Sequence, residues 1–170
     1  MTGRAHYGKI KGKVVSTADT KNAGRLMVQI TLGGSAVEVW AEACVPYAGS
    51  KNGFYAIPPV GSGVWVEFAE GDVDKPIWTG CWWKDGELSG ALGGGTSLLS
   101  LPVIMHSTGG HRMVLAGSGG DPVVIETASR EQGPRIVMTE SSIKISCGPK
   151  MSIEISSSEV KINSDGLVVR

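Results

Sequence analysis

Apolar residues in the last third of the chain come in pairs that are two positions apart and are set among Ser, Lys and Glu. Ile143 and Ile145 form one such pair, and Ile153 and Ile155 form another. Side chains two positions apart lie on the same face of a β-strand, so each pair predicts a short strand with one apolar face. Turn residues such as Gly148-Pro149 separate the pairs. The pattern therefore predicts a succession of short strands, with no helix after them to cover the apolar face.

This paired pattern begins near Met113 and predicts seven short strands between that residue and the end of the chain. We expect the paired side chains to share one face, which gives a ribbon of strands with a continuous apolar surface. The side chains predicted to form this surface, and with it the core of an assembly, are Met113, Leu115, Val123, Ile125, Ile136, Met138, Ile143, Ile145, Ile153, Ile155, Val160, Ile162, Leu167 and Val169.

A ribbon with a single apolar face has no second layer to bury that face, and ordering its backbone costs about 1 to 2 kcal/mol per residue. The ribbon can fold back on the N-terminal half, or identical ribbons can face each other about a shared axis. Symmetric association is favoured because it lets the same Ile and Val rows meet themselves. The pattern therefore predicts a homotrimer in which three ribbons enclose a narrow apolar core.

Apolar segments also alternate with turn residues in the first half of the chain, and none of them has a sustained 3.6-residue stripe. They predict five strands, enough for a small barrel, at residues 8–16, 25–32, 36–45, 63–71 and 76–83. The segment that follows is rich in Gly, Ser and Leu. We interpret residues 86–105 as a linker between a barrel at residues 1–85 and the ribbon at residues 106–170.

The composition narrows the possible partners. The 16 Lys and Arg residues balance 16 Asp and Glu residues, so the net charge does not favour nucleic acid or an anionic membrane. Three cysteines without a CxxC pair indicate neither a disulfide framework nor a zinc site. The first residues lack the apolar run of a signal peptide, and no segment approaches the roughly 20 apolar residues of a membrane span. We therefore expect a protein made in the cytoplasm without a signal peptide.

Several residues could carry chemistry, but their patterns favour structural interpretations. Four carboxylates cluster near one predicted hairpin and could support glycoside hydrolysis, although a solvated turn explains them better; they are Glu67, Glu70, Asp72 and Asp74. No G-x-S-x-G motif of a catalytic serine is present. His6, His106 and His111 are too scattered to indicate a metal site unless trimer symmetry gathers three copies of one. The sequence thus predicts no catalytic residue, no metal site and no cofactor.

A small barrel can also bind single-stranded nucleic acid, and this is the alternative function that the sequence leaves open. Tyr55, Trp82 and Trp83 could serve as stacking platforms, or they could pack in the core or in an interface. They are not interleaved with basic residues, and Lys75 and Lys84 alone do not form a groove. The pattern therefore ranks nucleic-acid binding below a structural role.

Residues 40–83 resemble the OB-fold module of the central spike proteins of contractile injection systems, which include phage baseplate assembly protein V and the VgrG spikes. The hairpin at residues 58–68, PPVGSGVWVEF, is similar to the signature hairpin of that family. The family usually has Asp or Glu after the first glycine of the hairpin, and this chain has Ser62, so one loop contact can differ. Residues 110–115, GHRMVL, are similar to the start of the family's triple-stranded β-helix.

The resemblance implies an all-β chain, with an N-terminal five-stranded OB-fold barrel followed by a C-terminal, intertwined, trimeric triple-stranded β-helix. It implies a homotrimeric central spike that pierces a target envelope and meets the target membrane only during piercing. Expected partners are baseplate components, a separate hub protein at the barrel and a PAAR-like tip protein at the C-terminal end. The short linker leaves no space for a lysozyme domain, and the C-terminus lacks the family's iron-binding His-x-His motif.

The kind of particle is not specified by the resemblance. A phage tail, a tailocin and an extracellular contractile injection system all use this module, and the spike is expected in the baseplate of such a particle. A type VI system is less favoured, because VgrG chains carry a large hub domain ahead of the barrel.

Overall fold

The computed structural model describes residues 5–92, 101–117, 122–163 and 166–169. The chain divides after Glu87 into two compact units, which are described separately below. Strands dominate both units. The first unit contains β1 (Ile10–Ser16), β2 (Leu26–Leu32), β3 (Ser35–Ala43), β4 (Ala48–Gly49), β5 (Asn52–Gly53), β6 (Gly63–Phe68) and β7 (Pro76–Trp82).

Five of these strands close into a barrel with the order β1-β2-β3-β7-β6. Neighbouring strands are antiparallel except β3 and β7, which are parallel. The predicted five-stranded barrel is confirmed, and the arrangement is consistent with an OB fold. The sequence pattern did not reveal the two-residue strands β4 and β5, which form a small separate hairpin.

The barrel buries a tightly packed aliphatic core. Gly12 on β1 lies against this core, where an added Cβ atom would stand 2.4 Å from Val28 Cγ1, so only glycine fits at this position. The indole Nε1 of Trp78 donates a hydrogen bond to the Gly24 carbonyl oxygen at 3.1 Å, which satisfies its polar atom. The buried core residues are Val14, Leu26, Val28, Ile30, Ala41, Val64, Val66, Phe68 and Trp78.

The C-terminal unit is one antiparallel sheet, and a short helix, α1 (Glu87–Leu92), precedes it. Each strand pairs with its neighbour in sequence, so the sheet is a meander within a single chain. The strands are β8 (Val103–His106), β9 (Arg112–Leu115), β10 (Val123–Glu126), β11 (Pro134–Met138), β12 (Ser142–Cys147), β13 (Met151–Ser156), β14 (Val160–Ile162) and β15 (Leu167–Val169).

The sheet therefore has one strand more than the seven that the sequence predicted. The additional strand, β8, falls within the segment that was interpreted as a linker, where α1 also lies. Met105 of β8 stands opposite Met113 of β9 in the register. The short apolar alternation of β8 becomes recognisable as a strand only through this pairing.

Candidate trimerisation surface

The register of the C-terminal sheet gathers the predicted apolar pairs on one face. Residues that stand directly opposite each other in an antiparallel pair point to the same face. Ile143 is opposite Ile155, and Ile145 is opposite Ile153. Other neighbouring strands of the sheet also place predicted apolar residues directly opposite each other, so apolar side chains are adjacent across the sheet.

Two apolar rows result from this register, and together they are called the apolar face below. The first row runs through Met105, Met113, Ile125, Ile136, Ile145, Ile153, Ile162 and Leu167. The second row runs through Val103, Leu115, Val123, Met138, Ile143, Ile155 and Val160. Val169 is opposite Val160 in the backbone register.

The apolar face is uncovered in the single chain. Ile145 is 49% exposed and Ile155 is 46% exposed, whereas the barrel core residues are less than a tenth exposed. Met113, Leu115 and Ile125 are also exposed. Soluble proteins rarely expose a contiguous apolar surface of this extent unless it is an interaction site.

The opposite face of the same sheet is mostly polar toward its C-terminal end. Lys144 stands opposite Glu154, and their charged groups lie 3.7 Å apart. Lys161 follows in the next strand, opposite Glu154. This part of the sheet is thus amphipathic, with charged side chains on one face and exposed isoleucines on the other.

Sequence reasoning missed two residues of the apolar face. Val103 and Met105 of β8 extend both rows by one strand, and both are exposed in the single chain. Their spacing of two residues was the available signal, but the glycine-rich segment before them obscured it.

Sequence reasoning also missed a buried ion cluster on the opposite face. Glu126 of β10 stands opposite Arg112 on one side and Arg135 on the other. Its Oε1 atom accepts hydrogen bonds from Arg112 Nε at 2.5 Å and from Arg130 Nη1 at 3.1 Å. Burial raises the pKa of the Glu126 carboxyl, but the hydrogen bonds and charges of the arginines outweigh this effect and lower its pKa overall.

Two of the four clustered carboxylates accept hydrogen bonds within the first unit. The Glu67 carboxylate accepts hydrogen bonds from Lys9 and from the Thr79 hydroxyl. The Asp72 carboxylate accepts the Asp74 backbone N–H at 3.0 Å in a local turn. The contacts with Lys9 and Asp74 are exposed, and the contact with Thr79 is partly buried. No group of three or more His, Cys, Asp or Glu side chains with a metal-binding arrangement occurs in the described part of the chain.

The aromatic residues considered for nucleic-acid binding differ in their surroundings. Trp82 is half-buried, and its ring is covered by Lys11, whose Nζ lies 4.6 Å from the ring centroid. Tyr55 and Trp83 are exposed. No helix in the described ranges is long and apolar enough to cross a membrane.

Two family models match this chain over separate regions. The model described as the type VI secretion system/phage-baseplate injector OB domain matches residues 10–83. The model described as the phage baseplate V C-terminal trimerisation domain matches residues 102–168. The chain is also 51% identical over 41 residues to the actin cross-linking toxin VgrG1 of Vibrio cholerae serotype O1. That match covers 24% of this chain and 4% of the much longer toxin.

Proposed function

Because this chain belongs to the family of phage-baseplate and VgrG-like spike proteins, we propose that it forms the homotrimeric central spike of a contractile injection machine. Membership of this family places the chain among the components of phage tails or related secretion assemblies. The trimerisation model over residues 102–168 fits a threefold assembly.

The uncovered apolar face of the C-terminal sheet is the observation that carries the proposal. Three sheets that turn this face toward a common axis bury both rows, and each buried side chain contributes about 1.5 to 3 kcal/mol. The polar face then points to solvent. The same surface meets itself around the axis, so a closed trimer forms without a second kind of subunit.

The proposed mechanism is mechanical and needs no catalytic residue. Eight strands stacked at about 4.8 Å give a needle roughly 34 Å long. Ladder hydrogen bonds run along this stack within each sheet, and the interior is close-packed, so the needle resists bending. Contraction of a sheath drives the preformed needle into the target envelope and concentrates the force on its narrow end.

Two partners complete the proposal. The barrel docks on a separate hub protein, and the apolar face holds the three chains together. The sheet ends at β15, whose outer edge has no further strand beside it in the described chain. A PAAR-like tip protein covers that edge, because an open strand edge readily pairs with another chain.

Light scattering on the purified chain tests the assembly. The expected mass is roughly 53 kDa, which corresponds to three chains of 17.7 kDa. A well-folded monomer with a sharp thermal transition would show that the apolar face is stable in water, and the spike proposal would then be wrong.

A further inference from the structure

The polar face of the C-terminal sheet contains a cavity of about 330 Å³ near its N-terminal end. Strands β9, β10 and β11 form its floor, and a single 3-10 turn at Arg130–Gln132 forms one wall. The side chains that bound the cavity are Arg112, Glu126, Ser129, Arg130, Glu131, Gln132 and Arg135. The apolar face does not contribute to the cavity, because Arg112, Glu126 and Arg135 lie on the opposite face of the sheet.

The charges around this cavity do not balance. Three guanidinium groups face one buried carboxylate, Glu126, whose side chain is 2% exposed. The other carboxylate, Glu131, lies at the rim with an 81% exposed side chain and reaches only Arg135, at 3.5 Å. A water-exposed pair of this kind is weak. Among the described residues that line the cavity, three guanidinium groups thus stand against two carboxylates, of which one is at the exposed rim.

A hydrogen-bond donor in the cavity wall also lacks an acceptor. Arg135 Nε is buried and has no hydrogen-bond partner among the described residues. Its nearest acidic atom, Glu126 Oε2, is 3.6 Å away, which is beyond hydrogen-bond distance. Buried donors are normally satisfied, so this N–H group is available to an oxygen atom of water or of a ligand.

We propose that this cavity binds a phosphate group. Guanidinium groups present forked N–H donors that match the oxygens of a phosphate, and several of them together neutralise its charge of more than one unit. The Glu126 carboxylate holds Arg112 and Arg130 in place through its Oε1 atom. Because the cavity is on the polar face, it stays open to solvent when chains associate through the apolar face.

Isothermal titration calorimetry of the full chain with inorganic phosphate tests this site, at an ionic strength held constant with NaCl. We expect saturable binding of one phosphate per chain. Acetate, titrated under the same conditions, is expected to bind at least about tenfold more weakly, because one carboxylate offers fewer acceptors and less charge. Equal affinity for acetate would show that the site binds anions without selecting phosphate, and this would contradict the proposal.

A matched pair of variants locates the site. Arg130→Gln removes a partly exposed guanidinium from the cavity and should weaken phosphate binding by about tenfold or more. Lys161→Gln removes the same charge from the same face, three strands away, and should leave the affinity unchanged. Circular dichroism and light scattering confirm that both variants keep their fold and mass.

Two results would overturn the inference: no saturable heat with the unmodified chain up to about 20 mM phosphate, or equal affinity in Arg130→Gln and the unmodified chain. If Arg130→Gln does not fold, Arg130→Lys takes its place, because it keeps the charge but loses the forked donors. Its affinity should then fall below that of the unmodified chain. The outcome is independent of the spike proposal, since a monomeric chain can still bind phosphate here.

Discussion

The side chain of Ile155 lies in the middle of the apolar face, opposite Ile143 on one side and Val160 on the other. It is 46% exposed in the single chain. The chain's own fold therefore leaves nearly half of this apolar side chain in contact with solvent. In the proposed trimer, the sheets of the other two chains cover the exposed part of this side chain.

Ile155→Lys should prevent trimer assembly. Three ammonium groups at the axis would be desolvated together and would repel each other, and an unpaired buried charge is strongly unfavourable. Ser152→Lys, which places the same charge on the polar face of the same strand, is the control and should stay trimeric. Light scattering of both variants checks the result, and a trimeric Ile155→Lys with an unchanged melting temperature would show that Ile155 does not face the axis.

Asp19 holds together the loop between β1 and β2 of the barrel. Its Oδ1 atom accepts hydrogen bonds from Arg25 Nε at 2.9 Å and Nη2 at 2.7 Å, and Arg25 in turn stacks over Trp40. Its carboxylate also accepts backbone N–H groups, including that of Ala23 at 2.7 Å. The Arg25 side chain, more than these backbone donors, holds the pKa of Asp19 well below its usual range, although burial opposes the shift.

The barrel should therefore depend on Asp19 more at neutral pH than in acid. A carboxyl whose pKa is lowered by folding stabilises the protein above its unfolded pKa, near 4, and loses this effect as the pH falls through the folded pKa. Asp19→Asn should lower the melting temperature at pH 7, and its difference from the unmodified chain should narrow below about pH 4. Thermal unfolding at pH 7 and pH 3 checks this, with Asp85→Asn as an exposed control. A melting-temperature difference that is larger at pH 3 than at pH 7 would contradict the stabilising role of the ionised Asp19 carboxylate.

Strand β8 shows how an element can depend on its neighbour. It is four residues long and follows a glycine-rich segment, and among the described strands it pairs with β9 alone. Val103 and Met105 nevertheless continue the two rows of the apolar face. If the trimer forms as proposed, β8 is the first layer of its core and not a tether.

Met105→Lys should consequently destabilise the trimer without abolishing it. The lysine lies in the outermost layer of the sheet, where its ammonium group can reach water, so we expect a cost of about 1 to 3 kcal/mol per chain. His106→Lys, on the opposite face of the same strand, is the control. Urea unfolding of both variants measures the difference, and equal midpoints would mean that β8 does not belong to the buried core.

At the scale of the whole molecule, the two units differ in whether their apolar side chains are buried within a single chain. The barrel closes on itself, so every strand has two neighbours and the aliphatic core is shielded within one chain. The C-terminal sheet is open and keeps one face bare. We therefore expect the first unit to fold alone and the second to need other copies of the chain.

A fragment of residues 1–90 should fold as a monomer and still bind the hub protein. Its closed core does not rely on the C-terminal sheet, whereas removal of the apolar face takes away the proposed trimer contact. Light scattering gives the mass, and a pull-down with the hub protein of the same particle tests binding. A stable trimer of this fragment would show that the barrel, and not the apolar face, carries the trimer contact. Loss of hub binding would show that the barrel alone does not bind the hub protein.

The sequence by itself determined the kinds of element and their amphipathic character. Alternation with a period of two is a local property, so the five barrel strands and seven of the eight sheet strands could be predicted from residues such as Ile143 and Ile145. The one-sided apolar pattern also implied that the C-terminal half needs a partner surface. The family resemblance, carried by the hairpin at residues 58–68, was confirmed.

Only the tertiary structure decided which residues stand next to one another. The register placed Arg112 and Arg135 on either side of Glu126, although they lie 14 and 9 residues from it in sequence. It also made β8 a strand by pairing Met105 with Met113. Pairing between strands depends on turn geometry and on contacts between distant segments, and no local pattern contains that information. For this reason the charged cavity was invisible in the sequence, while the apolar face was not.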